Sequence, residues 1–432
     1  MVGSESKLKS LRYSFLDGIF ASGMIGFVQD YFTPFIILLG ATSRQIGILN
    51  ALPNFFSSLF QLKSAELVER FRSRKTVFTI NVFLQALMLL PIVFIALKRI
   101  SAPIIFIIFV VLFNCFGALA MPAWSSLMSD LVDKDKRGEY FGWRNKNLGL
   151  VTIASTLLAG LILQRMQRFD VYYGFAILFG FSFCFRIISW YFLTKMHEPE
   201  FKLNKDDQFT FLEFIARIKE SNFAKFVLFV SLMNFSVNLA APFFSVLMLR
   251  ELGFSYILYT IITVTATLTA NLTISRWGRI SDTVGNLRII RLVSPVIGIL
   301  PFLWIINRNP IFLICIQIIS GFAWAGFNLC SLNFIYDAVI SEKRTRCIAY
   351  FNVLNGLALC FGALTGGFLL HRLPPLFGYR ILMLFLISTL LRLIVSIIIP
   401  KRLKEVKPVK EINAARIFFS MIGIRPLIEF ER

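Results

Sequence analysis

The chain of 432 residues is 57% apolar and 16% charged, contains 48 Phe, and has a formal net charge of +21. At a mean hydropathy of +0.73, a water-soluble globule of this length cannot hide its apolar surface, whereas a bilayer requires such surface. The six Cys and two His lack metal-ligand or disulfide spacing, and there is no phosphate loop of the Gly, four residues, Gly-Lys-Ser/Thr kind; neither a metal centre nor direct ATP coupling within the chain is expected.

In chain order, apolar stretches predict spans at 12–39, 45–63, 76–97, 102–129, 140–164, 171–194, 223–249, 257–275, 289–307, 310–336, 346–370 and 376–399. An apolar stretch of roughly 20 residues crosses the hydrocarbon core as a helix. Backbone hydrogen bonding leaves only helices or closed barrels as spanning structures, and alternating ten-residue strands are missing. The predicted fold class is an all-α membrane protein with about twelve transmembrane helices. No small-residue cleavage site follows the first stretch, so it reads as a retained helix.

Basic residues cluster on one side of this layout. With the N-terminus cytoplasmic, that side holds Lys7, Lys9, Arg12, Arg70, Arg72, Arg74, Lys75, Arg137, Arg144, Lys146 and the Lys-rich end from Lys401. The other side holds mainly Arg44, Lys98, Arg99, Arg165, Arg168, Arg250, Arg308, Arg372 and Arg380. This is the positive-inside pattern, with both termini cytoplasmic in a plasma or inner membrane. The basic charge therefore reports topology and anionic lipid and not nucleic acid.

The two halves repeat. Glu69 aligns with Asp282, 213 positions later; Asp130 and Arg137 align with Asp337 and Arg344 at 207; Tyr140 aligns with Tyr350 at 210. Asp30 and Pro34 align with Asn238 and Pro242 at 208, and Arg186 with Arg392 at 206. A tandem repeat with an even number of spans keeps both halves in one orientation. The expected domains are a six-helix bundle over 1–196, a polar linker over 197–222, a second bundle over 223–400, and a basic amphipathic tail over 401–432.

The segment from Gly278 through Asp282 and Gly285 to Arg288 resembles the loop signature of the major facilitator superfamily. The first-half copy is degenerate, with Ala65, Glu69 and Arg72 at the signature positions. The elements Asp130 to Arg137 and Asp337 to Arg344 resemble cytoplasmic connections of carriers in that family. The family's fifth-span antiporter signature is missing from 149–163; its nearest echo is Gly362 to Gly367. The resemblance implies two pseudo-symmetric six-helix bundles working as a carrier by alternating access.

Several residues are candidates for the work itself. Acids at helix ends facing Arg form charge-assisted bonds, so Glu69, Arg70, Arg74, Asp130 and Arg137 are expected to make one cytoplasmic gate. Asp282, Arg288, Asp337 and Arg344 are expected to make the other. Asp30, inside the first span and before the helix-disturbing Pro34, could bind a proton or grip a substrate cation or hydroxyl. Polar stripes at helical spacing point to a solute path: Asn50, Asn54, Ser57 and Gln61; Thr260, Thr263, Thr267 and Asn271; Asn234 and Asn238; Gln317, Trp324, Asn328 and Ser331. Of these, the Thr positions suit helix packing and the Asn, Gln and Trp positions suit cavity lining. Arg186 and Arg392 read as snorkelling side chains.

The expected function is a secondary transporter moving a small organic solute, with H+ or Na+ as coupling ion. The chain is expected to act as a monomer in lipid, without cofactor or nucleic acid. Two alternatives stand beside it, a lipid flippase or scramblase on the same scaffold and a non-transporting membrane receptor. A membrane enzyme is not expected, because no nucleophile–base pair or metal cluster appears.

Overall fold

A computed structural model describes residues 2–133, 137–199, 222–339 and 341–406. The described chain is almost wholly helical: α1 Val2–Val28, α2 Phe32–Leu38, α3 Ser43–Phe71, α4 Arg74–Leu87, α5 Leu89–Leu97, α6 Pro103–Leu131, α7 Arg137–Met166 and α8 Val171–Thr194. The second half continues with α9 Asn222–Asn238, α10 Ala241–Val246, a π-turn at Leu247–Glu251, α11 Tyr256–Val284, α12 Asn286–Ile306, α13 Pro310–Ala338, α14 Ser341–Leu369 and α15 Arg380–Ile398.

Local chemistry sets the ends. Thr42 and Gln45 form a capping box at the start of α3, with the Thr42 N–H donating to Gln45 Oε1 at 2.8 Å. Ser73 caps α4, Asp170 caps α8 and Asn309 caps α13, each accepting a backbone N–H within the first turn. Pro103 and Pro310, 207 positions apart, each open a helix where a missing N–H costs nothing.

Among the described residues, ten helical segments are long and apolar enough to cross a membrane, from Arg74–Leu97 to Arg380–Arg402. The other two expected spans form as α1–α2 and α3 but carry more polar side chains. Lys7, Lys9, Arg12 and Asp17 lie on α1, and Asn50, Asn54, Ser57, Gln61 and Lys63 on α3. Their polarity is the first sign that these two helices line something other than lipid.

The repeat is also visible in the helix breaks. The first span breaks at 29–31 and the seventh at 239–240, in each case just ahead of the aligned prolines Pro34 and Pro242. Proline has no N–H to give to the carbonyl four residues back. At Asp30 the freed carbonyl accepts instead from Tyr259 Oη at 2.7 Å.

The chain divides into two compact units. The first takes in the described part of 1–205 together with Ala241–Val264 and Ala363–His371; the second takes in the remainder. In the first unit α1 packs on α7 and α8, and α6 on α3 and α4. Its core is aromatic: Phe35 lies 4.9 to 5.2 Å, between ring centroids, from Phe106, Phe175 and Phe179. The Phe226 and Phe334 rings stack at 4.2 Å in the second unit, where α12 packs on α13 and α15. Helix backbones meet closely through glycine in both. A Cβ on Gly26 would lie 2.6 Å from the Thr152 carbonyl oxygen, and one on Gly362 would lie 2.4 Å from that of Phe235.

Candidate functional site

Six helices of the first unit surround a cavity of about 570 Å³. Helix periodicity brings Asp17, Ala21 and Met24 from α1 to it, and Asn54, Ser57 and Gln61 from α3. Phe78, Val82 and Gln85 come from α4, Phe113, Asn114 and Trp124 from α6, Arg144 from α7 and Arg186 from α8. The stripe expected on α3 thus lines the cavity at three of its four positions. The fourth, Asn50, is turned to the Ile46 carbonyl at 3.0 Å.

The charged residues of the cavity form a buried network. Asp17, Arg144 and Arg186 are 5%, 7% and 9% exposed, burial that an ion tolerates only when paired. Ser189 Oγ donates to Asp17 Oδ1 at 2.6 Å and accepts from Arg186 Nη1 at 3.1 Å. Arg186 Nε donates to Gln85 Oε1 at 2.8 Å. Arg144 stands looser, with Nη2 3.8 Å from Asp17 Oδ2 and 3.1 Å from the Ser14 carbonyl. Its guanidinium lies 4.8 Å over the Trp124 ring, a cation–π contact.

Two expectations are corrected here. Arg186 does not snorkel, because Gln85 and Ser189, the latter bonded to Asp17, hold it inside the bundle. Arg144, counted with the cytoplasmic charges, faces the same cavity. Arg392, the repeat mate of Arg186, is also buried, at 3% exposure, and donates to the Val237 and Ile297 carbonyls at 3.1 and 3.4 Å. Asp17 went unnoticed in the sequence, although an acid sharing a membrane interior with two Arg is itself a signal.

Asp30 is half-buried at the break between α1 and α2 and does not line the cavity. In the second unit, Asn234 Nδ2 donates to Asn355 Oδ1 at 2.7 Å, and Asn238 Nδ2 to the Asn234 carbonyl at 3.2 Å. Gln317 is half-buried, Trp324 meets Phe327 edge-on at 5.5 Å, and Asn328 is exposed. The Thr260 and Thr263 hydroxyls bond back to carbonyls of their own helix, as packing residues do.

Of the first expected gate, Arg74 and Asp130 meet at 2.5 Å, with Arg74 only 3% exposed. Glu198, which the sequence reading passed over, completes the cluster. Its carboxylate accepts from the Arg74 N–H at 2.7 Å and from Ser73 Oγ at 2.6 Å. Glu69 and Arg70 are exposed on α3, and the Arg137 side chain lies outside the described residues. In the second expected gate, Asp337 accepts from Asn286 Nδ2 at 2.9 Å, and Glu405 accepts from the Leu287 N–H at 2.7 Å. Asp282 is exposed and Arg288 half-buried, while the Arg344 side chain lies outside the described residues.

Two helical bundles of apolar spans, one with a cavity that buried charges and amides line alongside apolar side chains, define the class of multi-pass membrane proteins. The profile of the Major Facilitator Superfamily matches residues 18–363 and 225–428, and the chain belongs to that superfamily. No curated protein matches it. Among solved structures it is similar to the nucleoside transporter NupG, with 16% identity, coverage of 91% of this chain and 98% of that one, and a TM-score of 0.68. It is similar to a bacterial homolog of the human lysosomal transporter Spinster at 13% identity, 97% and 98% coverage, and a TM-score of 0.66. An autoinhibited POT family peptide transporter gives 10% identity, 94% and 99% coverage, and a TM-score of 0.71.

Proposed function

We propose that this chain is a secondary carrier that moves a small organic solute by alternating access, and that the cavity among α1, α3, α4, α6, α7 and α8 binds it. The observation that carries this reading is the cavity itself. Its volume of about 570 Å³ falls in the range that encloses small organic ligands. Asn54, Ser57, Gln61, Gln85 and Asn114 offer neutral hydrogen-bonding groups, while Phe78, Phe113 and Trp124 offer apolar walls.

The coupling residue we favour is Asp17 in place of Asp30, because Asp17 is the one carboxylate among the described residues lining the cavity. H+ is the favoured ion over Na+, since a lone carboxylate can carry a proton but makes a poor cage for a metal cation. Arg74, Asp130 and Glu198, with Asn286, Asp337 and Glu405, are proposed to brace the cytoplasmic helix ends. Both termini then face the cytoplasm, and the chain works as a monomer in the plasma or inner membrane.

A thermal-shift screen of purified protein against small solutes, followed by counterflow of the hits in proteoliposomes, tests the reading. Hits should lose their shift in Asn54→Ala and Gln61→Ala, and the pH dependence of counterflow should vanish in Asp17→Asn but persist in Asp30→Asn. Hits untouched by both α3 substitutions would place the site elsewhere. A pH response that survives Asp17→Asn would remove Asp17 from coupling.

A further inference from the structure

We infer that the solute taken by this cavity carries a negative charge, a carboxylate or an equivalent organic anion, and that Arg144 is its counter-ion with the Trp124 indole N–H beside it; the inference rests on the carrier reading above.

The charges lining the cavity do not balance. Asp17, Arg144 and Arg186 are its charged side chains among the described residues, which leaves one positive charge in excess. Buried charge of one sign is unfavourable unless an opposite charge or a set of acceptors meets it. The imbalance also has an address. Asp17 is held tightly by Ser189 and, through that hydroxyl, by Arg186. Arg186 is further held by Gln85. Arg144 is left with one carbonyl and an Asp17 oxygen at 3.8 Å, too far for a hydrogen bond.

Two buried donors belong to adjacent side chains of the wall. Arg144 Nε and Trp124 Nε1 are both inaccessible to solvent and have no hydrogen-bond partner. Buried N–H groups are nearly always satisfied, and each exception calls for an explanation. These two belong to neighbouring residues of the cavity wall, with the Arg144 guanidinium carbon 4.8 Å from the centroid of the Trp124 ring. An acceptor is missing, and the excess positive charge says that it is anionic. Carboxylate and guanidinium suit each other in charge and in planar geometry. A purely cationic solute would meet net repulsion here. Asn54 and Asn114 each give an amide N–H to a carbonyl of their own helix, at 2.7 and 2.8 Å, which leaves their amide oxygens and the Gln61 amide for the rest of the molecule.

The test uses matched pairs at constant ionic strength: benzoate and benzamide, nicotinate and nicotinamide, hippurate and hippuramide, lactate and lactamide. Binding to the full-length purified protein is read by thermal shift and by quenching of Trp fluorescence, with chloride and sulfate as inorganic controls. In at least one pair the carboxylate should bind about tenfold or more tighter than its amide, the scale of one charge-assisted contact. Arg144→Gln should reduce that ratio to about one, and Arg144→Lys should keep part of it. Trp124→Phe, which keeps a ring but removes the donor, should weaken the carboxylate several-fold; it serves as the second probe where Arg144→Gln does not fold. The inference is overturned if no pair shows a carboxylate preference, if the preference survives Arg144→Gln, if Trp124→Phe leaves carboxylate binding unchanged, or if only the inorganic anions bind. Binding and counterflow of neutral solutes would overturn the anion while leaving the carrier intact. Loss of counterflow for every solute would overturn the carrier itself.

Discussion

Glu198 Oε1 accepts the backbone N–H of Arg74 at 2.7 Å, and Glu405 Oε2 accepts that of Leu287 at the same distance. The acids lie 207 positions apart and the donors 213, the same offsets that relate Asp130 to Asp337 and Glu69 to Asp282. Each carboxylate follows the last helix of its bundle and caps the first turn of α4 or α12, where N–H groups lack intrahelical partners and the helix dipole favours negative charge. Removing one cap, as Glu198→Ala or Glu405→Ala, should cost about 1 kcal/mol and lower the melting temperature. Glu198→Ala should cost more, because Glu198 also accepts from Ser73 Oγ and pairs with the Arg74 side chain. Equal melting temperatures for wild type and Glu198→Ala would contradict the capping account.

The three acids Asp130, Asp337 and Asp282 should behave differently. Asp130→Asn removes a charge from the buried Arg74, at a half-exposed site. The expected loss is about 1.5 kcal/mol, the low end of the range for hydrogen bonds to charged groups. Asp337→Asn keeps an acceptor oxygen for Asn286 Nδ2 and serves as the repeat-mate comparison. Neutralising the exposed Asp282 should leave stability unchanged. Thermal unfolding of the three purified variants ranks them, and an Asp282→Asn loss as large as that of Asp130→Asn would refute the ranking.

The Asp17, Ser189 and Arg186 chain predicts strong coupling. Asp17→Asn keeps an acceptor for Ser189 but strips the counter-charge from two buried guanidinium groups. It should destabilise by about 3 kcal/mol, at the low end for breaking a buried pair. Arg186→Gln alone should also destabilise, and the double variant should lose less than the two singles together, by about 1 kcal/mol or more. A double-mutant cycle in mixed micelles reads this directly, and strict additivity would show that the charges do not interact.

What was legible in the sequence follows from what repeats. Apolar length carries information at every span, so most helices could be placed within a few residues; α1 begins ten residues before its predicted bound, and α3 and α11 run eight and nine residues past theirs, because polar helix ends extend beyond the apolar stretch. The bundle repeat was legible because Asp130, Tyr140 and Pro34 keep their spacing to Asp337, Tyr350 and Pro242. Asn54, Ser57 and Gln61 were legible because helical periodicity puts them on one face. The charged network was not, because its partners lie far apart in sequence: 172 residues separate Asp17 from Ser189, and 101 separate Gln85 from Arg186. Arg186 taken alone resembles a snorkelling residue, and Asp30 attracted attention through Pro34 although that proline acts on its carbonyl and not its carboxylate.

That carbonyl gives a further prediction. Pro34 cannot supply the N–H that Asp30 O would accept in an unbroken helix, and Tyr259 supplies a hydroxyl instead. Tyr259→Phe therefore strands an acceptor and should cost about 1–3 kcal/mol. Tyr31→Phe removes bonds to the Thr156 carbonyl and to Thr260 Oγ1. Thr260 Oγ1 retains the Tyr256 carbonyl as its partner, so the loss should be nearer 1 kcal/mol, the usual net worth of one hydrogen bond. Tyr31→Phe destabilising more than Tyr259→Phe would show that the broken helix is satisfied in another way.

The sharpest structural prediction concerns the two glycine contacts. Gly26 lies on α1 against α7, and Gly362 lies on α14 against α9; these are corresponding helix pairs of the two bundles, with the glycine on opposite members. In both, the obstacle to a side chain is a backbone oxygen, at 2.6 Å for Gly26 and 2.4 Å for Gly362, and an oxygen already fixed in a helix cannot rotate aside. Gly26→Ala and Gly362→Ala must then push whole helices apart, at about 1–3 kcal/mol, the usual cost of overpacking. The controls are Gly142→Ala and Gly180→Ala, where a Cβ would meet nothing within 4 Å. There alanine's better helix propensity should leave stability unchanged or raised by about 0.5–1 kcal/mol. Opposite signs for the two sets, read by thermal unfolding in one detergent, would show that close backbone approach sets these contacts. A loss at Gly142 equal to that at Gly26 would mean that glycine is needed for backbone flexibility and not for space.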